Sequence, residues 1–239
     1  MSDNVRILFI NGSPRSKNNT SILVQDAIRG AKSISGVEIE VYDLAGKTFY
    51  PCKGTCSAYH RKTGRCSIQD DFASFAEAWN QADGIIYAFP IYHMSPPAGL
   101  RSLIERLGAV YFGFAHGKLE RLCKSAGVIC QGNTAYGGQE LAMMNIISHL
   151  LLMNCVPVTG DKPHSYMGVG GQVDSYEHLQ SNQLVREGAE SIGRRVTQMA
   201  VILRNGIRNA PEEFKHEYGF DKSRTFFSSQ KGDVVKMAE

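Results

Sequence analysis

The chain has 239 residues, 43% hydrophobic and 21% charged, with a formal net charge of +3. That is ordinary globular composition, enough for one large domain or two small ones. The weak, scattered positive charge argues against nucleic acid, and no apolar run reaches membrane-spanning length.

No N-terminal signal pattern is visible, so the expected location is cytoplasmic. Six cysteines in such a chain suit free, redox-active or metal-binding roles better than a disulfide framework.

In chain order, Ile7–Ile10 is a short apolar run of strand length that breaks into the turn Asn11-Gly12-Ser13-Pro14-Arg15-Ser16-Lys17-Asn18-Asn19. From Thr20 the spacing is helical, with Val24, Ala27, Ile28 and Ala31 on one face. A strand feeding a polar turn that opens a helix is an anion site, because the first helical amides lack intrahelical partners and the dipole favours negative charge. Ser13, Ser16, Thr20 and Ser21 add hydroxyls, and Arg15 and Lys17 add positive charge. The competing reading is a plain strand-to-helix turn with Asn19 or Thr20 as N-cap. Neither G-x-x-x-x-G-K-[ST] nor G-x-G-x-x-G is present. A phosphate held by hydroxyls and amides without a Walker lysine suits flavin mononucleotide better than ATP or a dinucleotide.

Val37–Tyr42 alternates as a strand with one polar face, and Leu44–Arg65 reads as irregular, carrying Cys52 and Cys56 with Cys66 just beyond. A helix beginning at Asp70-Asp71 would bury Phe72, Phe75, Ala76 and Trp79. Ile85–Phe89 reads as a buried parallel strand ended by Pro90. Then come the loop Ile91–Pro97, a helix from Ala98 to about Leu107, a strand Ala126–Cys130, the loop Gln131–Gly138 and a helix Gln139–Met153. A short strand at Val156–Val158 and a glycine-rich irregular segment to about Ser175 precede a helix over Glu177–Asn205. Its apolar stripe is Val185, Ala189, Ile192, Val196, Met199 and Leu203. Five strands alternating with helices predict a doubly wound parallel sheet covered on both faces. After Pro211, Phe214, Tyr218, Phe220, Phe226 and Phe227 show no period. This tail either packs on its own subunit, frays, or serves as a dimer arm.

Three loops follow strand ends, Gly12–Ser21, Pro90–Pro97 and Gln131–Gly138, where an open parallel sheet holds its ligand. The residues Asn11–Arg15 with Asn19-Thr20, Cys66–Asp71, Ala82–Ile86 before Pro90-Ile91-Tyr92, Leu103–Arg106 and Gly137–Glu140 resemble the flavodoxin-like NAD(P)H-dependent FMN reductases and their iron–sulfur flavoprotein relatives. The resemblance spans about residues 5–160 in order. It implies an α/β, flavodoxin-like, doubly wound five-stranded parallel sheet of order 2-1-3-4-5, over residues 1–207, with a C-terminal extension at 208–239.

By the same resemblance, Ser13, Arg15, Ser16, Asn19, Thr20 and Ser21 hold the FMN phosphate. Pro90, Ile91, Tyr92, His93 and Met94 line the ring and ribityl chain, while Gln131, Asn133, Thr134, Tyr136 and Gly137 bound the other ring edge. Tyr92 and Tyr136 are the stacking candidates, and His93 takes a positional rather than general-acid role. The implied activity is that of an FMN-containing oxidoreductase. NAD(P)H, as co-substrate, delivers hydride to flavin N5, and a quinone, free flavin, nitro-compound or metal acceptor removes the electrons. A homodimer or homotetramer is implied, with no nucleic-acid or membrane partner. The rival functions are an iron–sulfur flavoprotein and a flavodoxin-like electron carrier.

Iron–sulfur relatives place four closely spaced cysteines where this chain has Cys52, Cys56 and Cys66, with Tyr59 near the position of the third. A cubane cluster needs four thiolates. The expectation is a cluster-free loop covering the flavin, and no metal site. The histidines show no ligand spacing, and Met143 and Met144 suit core or subunit contact.

Overall fold

The computed structural model describes residues 4–115 and 123–215 of the chain. Its elements run β1 (Val5–Asn11), α1 (Asn19–Lys32), β2 (Val37–Asp43), α2 (Ser57–Thr63), α3 (Phe72–Gln81), β3 (Gly84–Pro90) and α4 (Ala98–Ala115). They continue with β4 (Ser125–Gly132), α5 (Gln139–Leu152), β5 (Val156–Pro157), β6 (Val169–Gln172), α6 (Tyr176–Ser181), α7 (Gln183–Arg208) and α8 (Glu212–Lys215).

The strands pair in parallel in the order β2-β1-β3-β4-β5, with β6 beside β4. Strands β3 and β4 are buried along their whole length, as continuous apolar runs in a doubly covered sheet should be. Edge strand β2 alternates and leaves one face wet. One core layer lies between the sheet and helices α3, α4 and α5, around Trp79, Tyr87, Phe75 and Leu103. The other lies under α1 and α7, around Phe9, Leu23, Ile86 and Ile192. Asp26, buried in α1, receives two hydrogen bonds from Arg186 of α7, at 2.9 and 3.0 Å. Where these helices cross, Gly30 meets the Glu190 backbone and Gly193 meets the Ala27 carbonyl, with no room for a Cβ on either side.

Four sequence expectations are corrected. The stretch Leu44–Arg65 is not wholly irregular, because Ser57–Thr63 forms α2, packed on α4. The glycine-rich segment contains β6, whose Val169–Gln172 pair with Ile129–Gly132 while β5 pairs only with Ser125 and Ala126. The fifth sheet position is thus shared by two short strands, and among the described residues the sheet has six. The long C-terminal helix is two helices meeting at Asn182, which caps α7 by accepting from the Val185 amide. Its buried stripe leaves Met199 and Leu203 half-exposed and continues through Ala200 to Arg204, whose guanidinium reaches Asp83 at 3.2 Å and the Asn4 carbonyl. Helix α4 also runs well past Leu107.

The expected boundary at residue 207 falls in the last turn of α7. Tyr218, Phe220, Phe226 and Phe227 of the expected extension lie outside the described residues, as do His116 and His216.

Candidate functional site

The carboxyl ends of β1, β3 and β4 open onto one crevice of about 570 Å³, within the roughly 300–1,000 Å³ usual for small-molecule sites. Its floor is the turn after β1. Asn11 ties that turn together, donating to Asp43 Oδ1 at 2.7 Å and to Ser21 Oγ at 3.1 Å, while its Oδ1 accepts from the Ser13 amide. Ser13 Oγ accepts from the Arg15 amide at 3.2 Å, and Asn18 Nδ2 donates to the Arg15 carbonyl. The N-cap of α1 is Asn18, with extended backbone and its side chain accepting from the Ser21 amide at 2.8 Å. That corrects the expected cap at Asn19 or Thr20. The cap oxygen has to reach an amide three residues on, and Asn18 meets that geometry.

The second wall is the segment after β3. Tyr92 and Ser95 exchange backbone hydrogen bonds at 2.9 and 3.1 Å, closing a two-residue turn on His93 and Met94. Both central residues have positive φ, 50° and 61°, a conformation costly for side chains other than glycine. Tyr136, across the crevice loops, has φ of 56°. Gly138, at the start of α5, packs directly on Met94, so the second and third loops touch. In the third loop, Gln139 Nε2 donates to the Thr134 carbonyl at 2.7 Å.

Of the residues expected at the site, Ser13, Arg15, Asn19, Pro90, Ile91, Tyr92, His93, Met94, Gln131, Asn133, Thr134 and Gly137 line this crevice. Ser16, Thr20, Ser21 and Tyr136 do not. Ser16 is exposed at the outer edge of the turn, Ser21 is engaged by Asn11, and Tyr136 is 97% exposed. Of the two stacking candidates only Tyr92 stands on the wall. Thr20 lies completely buried under the turn, and its hydroxyl has no hydrogen-bond partner among the described residues.

Sequence reasoning left out Asn18, Gly132 and Asp174 and used Lys17 only as charge, yet all four line the crevice. Asn18 was findable as a cap residue before a helix. Asp174 carried no signal, since it arrives on the return from the unexpected β6. Its carboxylate lies below the usual range because His178 hydrogen-bonds to it at 2.9 Å.

Residues of the cysteine loop do not line the crevice; they line a cavity of their own. Arg106 of α4 is the clamp that holds this loop down. Its guanidinium makes two hydrogen bonds to Asp70, 2.5 and 2.8 Å, and a third to the Tyr50 carbonyl. Both charged side chains are out of water, 0% and 1% exposed. Burial raises the Asp70 carboxyl, but the hydrogen bonds from Arg106 and the Tyr50 and Phe72 amides outweigh it and hold the group below its ordinary value.

The crevice can hold a phosphorylated, planar cofactor. One end offers Arg15, Lys17, the hydroxyl of Ser13 and the amide of Asn18, above a helix N-terminus. The other end is walled by Pro90, Ile91, Tyr92 and Met94. The buried, unpartnered Thr20 hydroxyl in the first turn of α1 is the further sign that the turn is built for a ligand, because buried hydroxyls are seldom left unpaired.

The comparisons agree with this architecture. A family model described as NADPH-dependent FMN reductase matches residues 5–162. An iron–sulfur flavoprotein of Methanocaldococcus jannaschii is 28% identical over 84% of this chain and 100% of its own length. Another, from Methanosarcina thermophila, is 31% identical over 67% of this chain and 80% of its own. Among solved structures, an NAD(P)H:quinone oxidoreductase from Methanothermobacter marburgensis superposes with a TM-score of 0.58 at 19% identity, covering 80% of this chain and 95% of that one.

Proposed function

The chain belongs to the NADPH-dependent FMN reductase family, an enzyme family whose cofactor is FMN and whose co-substrate is NAD(P)H, and on that premise we propose that it passes electrons from the nicotinamide to a small-molecule acceptor in the crevice. The acceptor class is a quinone, free flavin, nitro-compound or metal ion. The observation that carries this reading is the convergence of three strand-end loops on one crevice, whose lining takes Ser13, Arg15 and Lys17 from the first loop and Pro90, Ile91, Tyr92 and Met94 from the second.

When bound, FMN would supply the two-electron redox chemistry between nicotinamide and acceptor, held by Ser13, Arg15 and Lys17 and bounded by Pro90, Ile91 and Tyr92. Everything else falls to the chain. Arg15, Lys17, Ser13 and the helix N-terminus fix the phosphate and with it the position of the ring. Pro90, Ile91 and Tyr92 exclude water from one side of the ring site, and the contact between Met94 and Gly138 fixes the gap between the two walls. The strained His93-Met94 turn is kept rigid by its paired backbone bonds, which holds both side chains against the ring site at a stability cost elsewhere. His93 acts by position; no proton transfer is assigned to it.

We further propose a homodimer or homotetramer. Leu141, Met144, Leu151 and Leu152 stand exposed on α5, with Ser148 between the two pairs, and large apolar side chains grouped on one exposed helix favour burial against a partner.

The deciding experiment is anaerobic. Addition of NADH or NADPH should bleach the visible flavin absorption of the purified protein, and a quinone should restore it. Reduction by dithionite alone, with both nucleotides inert, would reject the reductase reading in favour of an electron carrier.

A further inference from the structure

The cysteine loop faces a second cavity of about 970 Å³, walled largely by Tyr50, Pro51, Tyr59 and Ile68, with Cys52 and Cys56 on its lining. Among the described residues it shares no lining residue with the first crevice. The iron–sulfur cluster named in the relatives does not fit here. A cubane needs four converging thiolates, and among the described residues no three or more His, Cys, Asp or Glu side chains converge. Cys66 instead contacts the Arg106 guanidinium.

Cys56 has a different partner. Its Sγ lies 3.1 Å from Nε2 of His60, one turn along α2. His60 is 4% exposed. It is wedged against α4 at Gly113, where a Cβ would come within 2.7 Å of the His60 Cβ. The imidazole also donates to the Ala109 carbonyl on α4. With Nδ1 on the α4 side, that bond leaves the Nε2 lone pair facing the thiol. Burial holds the imidazole below its ordinary pKa, with the Ala109 bond opposing, so the ring is neutral near pH 7 and Nε2 is free to accept a proton. A thiol, a base and a carbonyl that orients the base form the arrangement that activates a cysteine nucleophile.

We propose that Cys56 and His60 form a nucleophilic thiol site that captures a small, largely apolar disulfide from this second cavity. His60 Nε2 takes the proton from the Cys56 thiol. The thiolate attacks one sulfur of R–S–S–R, the Cys56–S–S–R bond forms as the original S–S bond breaks, and the departing thiolate leaves as RSH with the proton from His60. One thiol and one disulfide enter, and one of each results, so no outside oxidant is required.

The test uses the full-length, FMN-loaded protein and dithiodipyridine, an aromatic disulfide whose thiol product is coloured. The expected result is one fast-reacting thiol per chain, placed at Cys56 by peptide mass spectrometry, at least tenfold faster than Cys52, Cys66 or the same thiol in the urea-unfolded chain. His60→Gln should slow that phase at least tenfold while flavin content and NADPH oxidation stay unchanged, and Cys56→Ser should abolish it. Fast labelling at another cysteine, a Cys56 rate no higher than in the unfolded chain, or an unchanged rate in His60→Gln would overturn the proposal. So would near-stoichiometric iron or zinc in anaerobically purified protein that is lost in Cys56→Ser. If His60→Gln does not fold, the wild-type labelling pattern and its unfolded control still decide.

Discussion

Replacing Thr20 by valine keeps the shape of the side chain and removes only a hydroxyl that is wholly buried and has no partner among the described residues. In the flavin-free protein such a hydroxyl carries a desolvation cost of roughly 1–3 kcal/mol with nothing to offset it. Thr20→Val should therefore raise the stability of the apoprotein by about that amount, read from urea unfolding followed by circular dichroism. With FMN present the sign reverses. A hydroxyl donating to a phosphate oxygen contributes roughly 1.5–3 kcal/mol, so the variant should bind FMN about 10- to 150-fold more weakly, each 1.4 kcal/mol being a factor of ten. Flavin fluorescence titration measures this, and riboflavin, lacking the phosphate, should bind both proteins alike. An FMN affinity within threefold of wild type would remove Thr20 from the phosphate site. An apoprotein destabilised by more than about 1 kcal/mol would show that the hydroxyl has a protein partner after all.

Asp70→Asn leaves Arg106 charged in the core and should cost about 3–5 kcal/mol, lowering Tm by roughly 6–20 °C for a domain of this size; adding Arg106→Met should recover part of the loss, and a single-variant cost below about 1 kcal/mol would contradict the buried clamp. Because the folded Asp70 carboxyl lies below its unfolded value, its contribution is complete above about pH 4 and disappears as pH falls through the folded value. Acid unfolding of the wild type should thus steepen below about pH 4 and flatten in Asp70→Asn, a difference urea titrations at stepped pH will reveal. Gly193→Ala drives a Cβ into the Ala27 carbonyl and should destabilise by roughly 1–3 kcal/mol, although alanine is the better helix former by about 1 kcal/mol. A stabilised variant in thermal melts would mean that α1 and α7 are not in close contact.

The sheet was legible because burial writes itself into composition. Ile85–Phe89 and Ala126–Cys130 are unbroken apolar runs, and only strands covered on both faces tolerate them. Phe72, Phe75, Ala76 and Trp79 gave α3 its buried face directly. What escaped was built from residues with weak local preference. Helix α2 carries Ser57, Tyr59, His60 and Thr63, poor helix formers, and it is held by packing on α4. The strand β6 reads Val-Gly-Gly-Gln, and glycine is depleted in strands, so pairing with β4 overrides propensity there. Lys17 and Asn18 lie in the same turn as the expected phosphate ligands, yet which side chains face inward depends on the hydrogen bonds of Asn11, Ser13 and Asn18, which spacing does not encode.

The division of the fifth sheet position explains why one wall of the crevice was invisible from sequence. Strand β5 covers only Ser125 and Ala126 at the start of β4, and the chain then leaves the sheet. The excursion is pinned from within: Ser165 Oγ bonds the Gly160 amide and the Gly168 carbonyl, and Ser191 of α7 accepts from the Asp161 amide. It returns as β6 beside Ile129–Gly132, the half of β4 that faces the ligand end. Two residues later it delivers Asp174 to the crevice, and Asn19 reaches across to the Ser175 carbonyl. A single uninterrupted fifth strand would have had no reason to bring an acidic residue to the mouth of a cationic turn. Splitting it puts a carboxylate on the same crevice lining as Arg15 and Lys17, so the electrostatic field in the crevice depends on two segments more than 150 residues apart, a coupling that no local window of sequence contains.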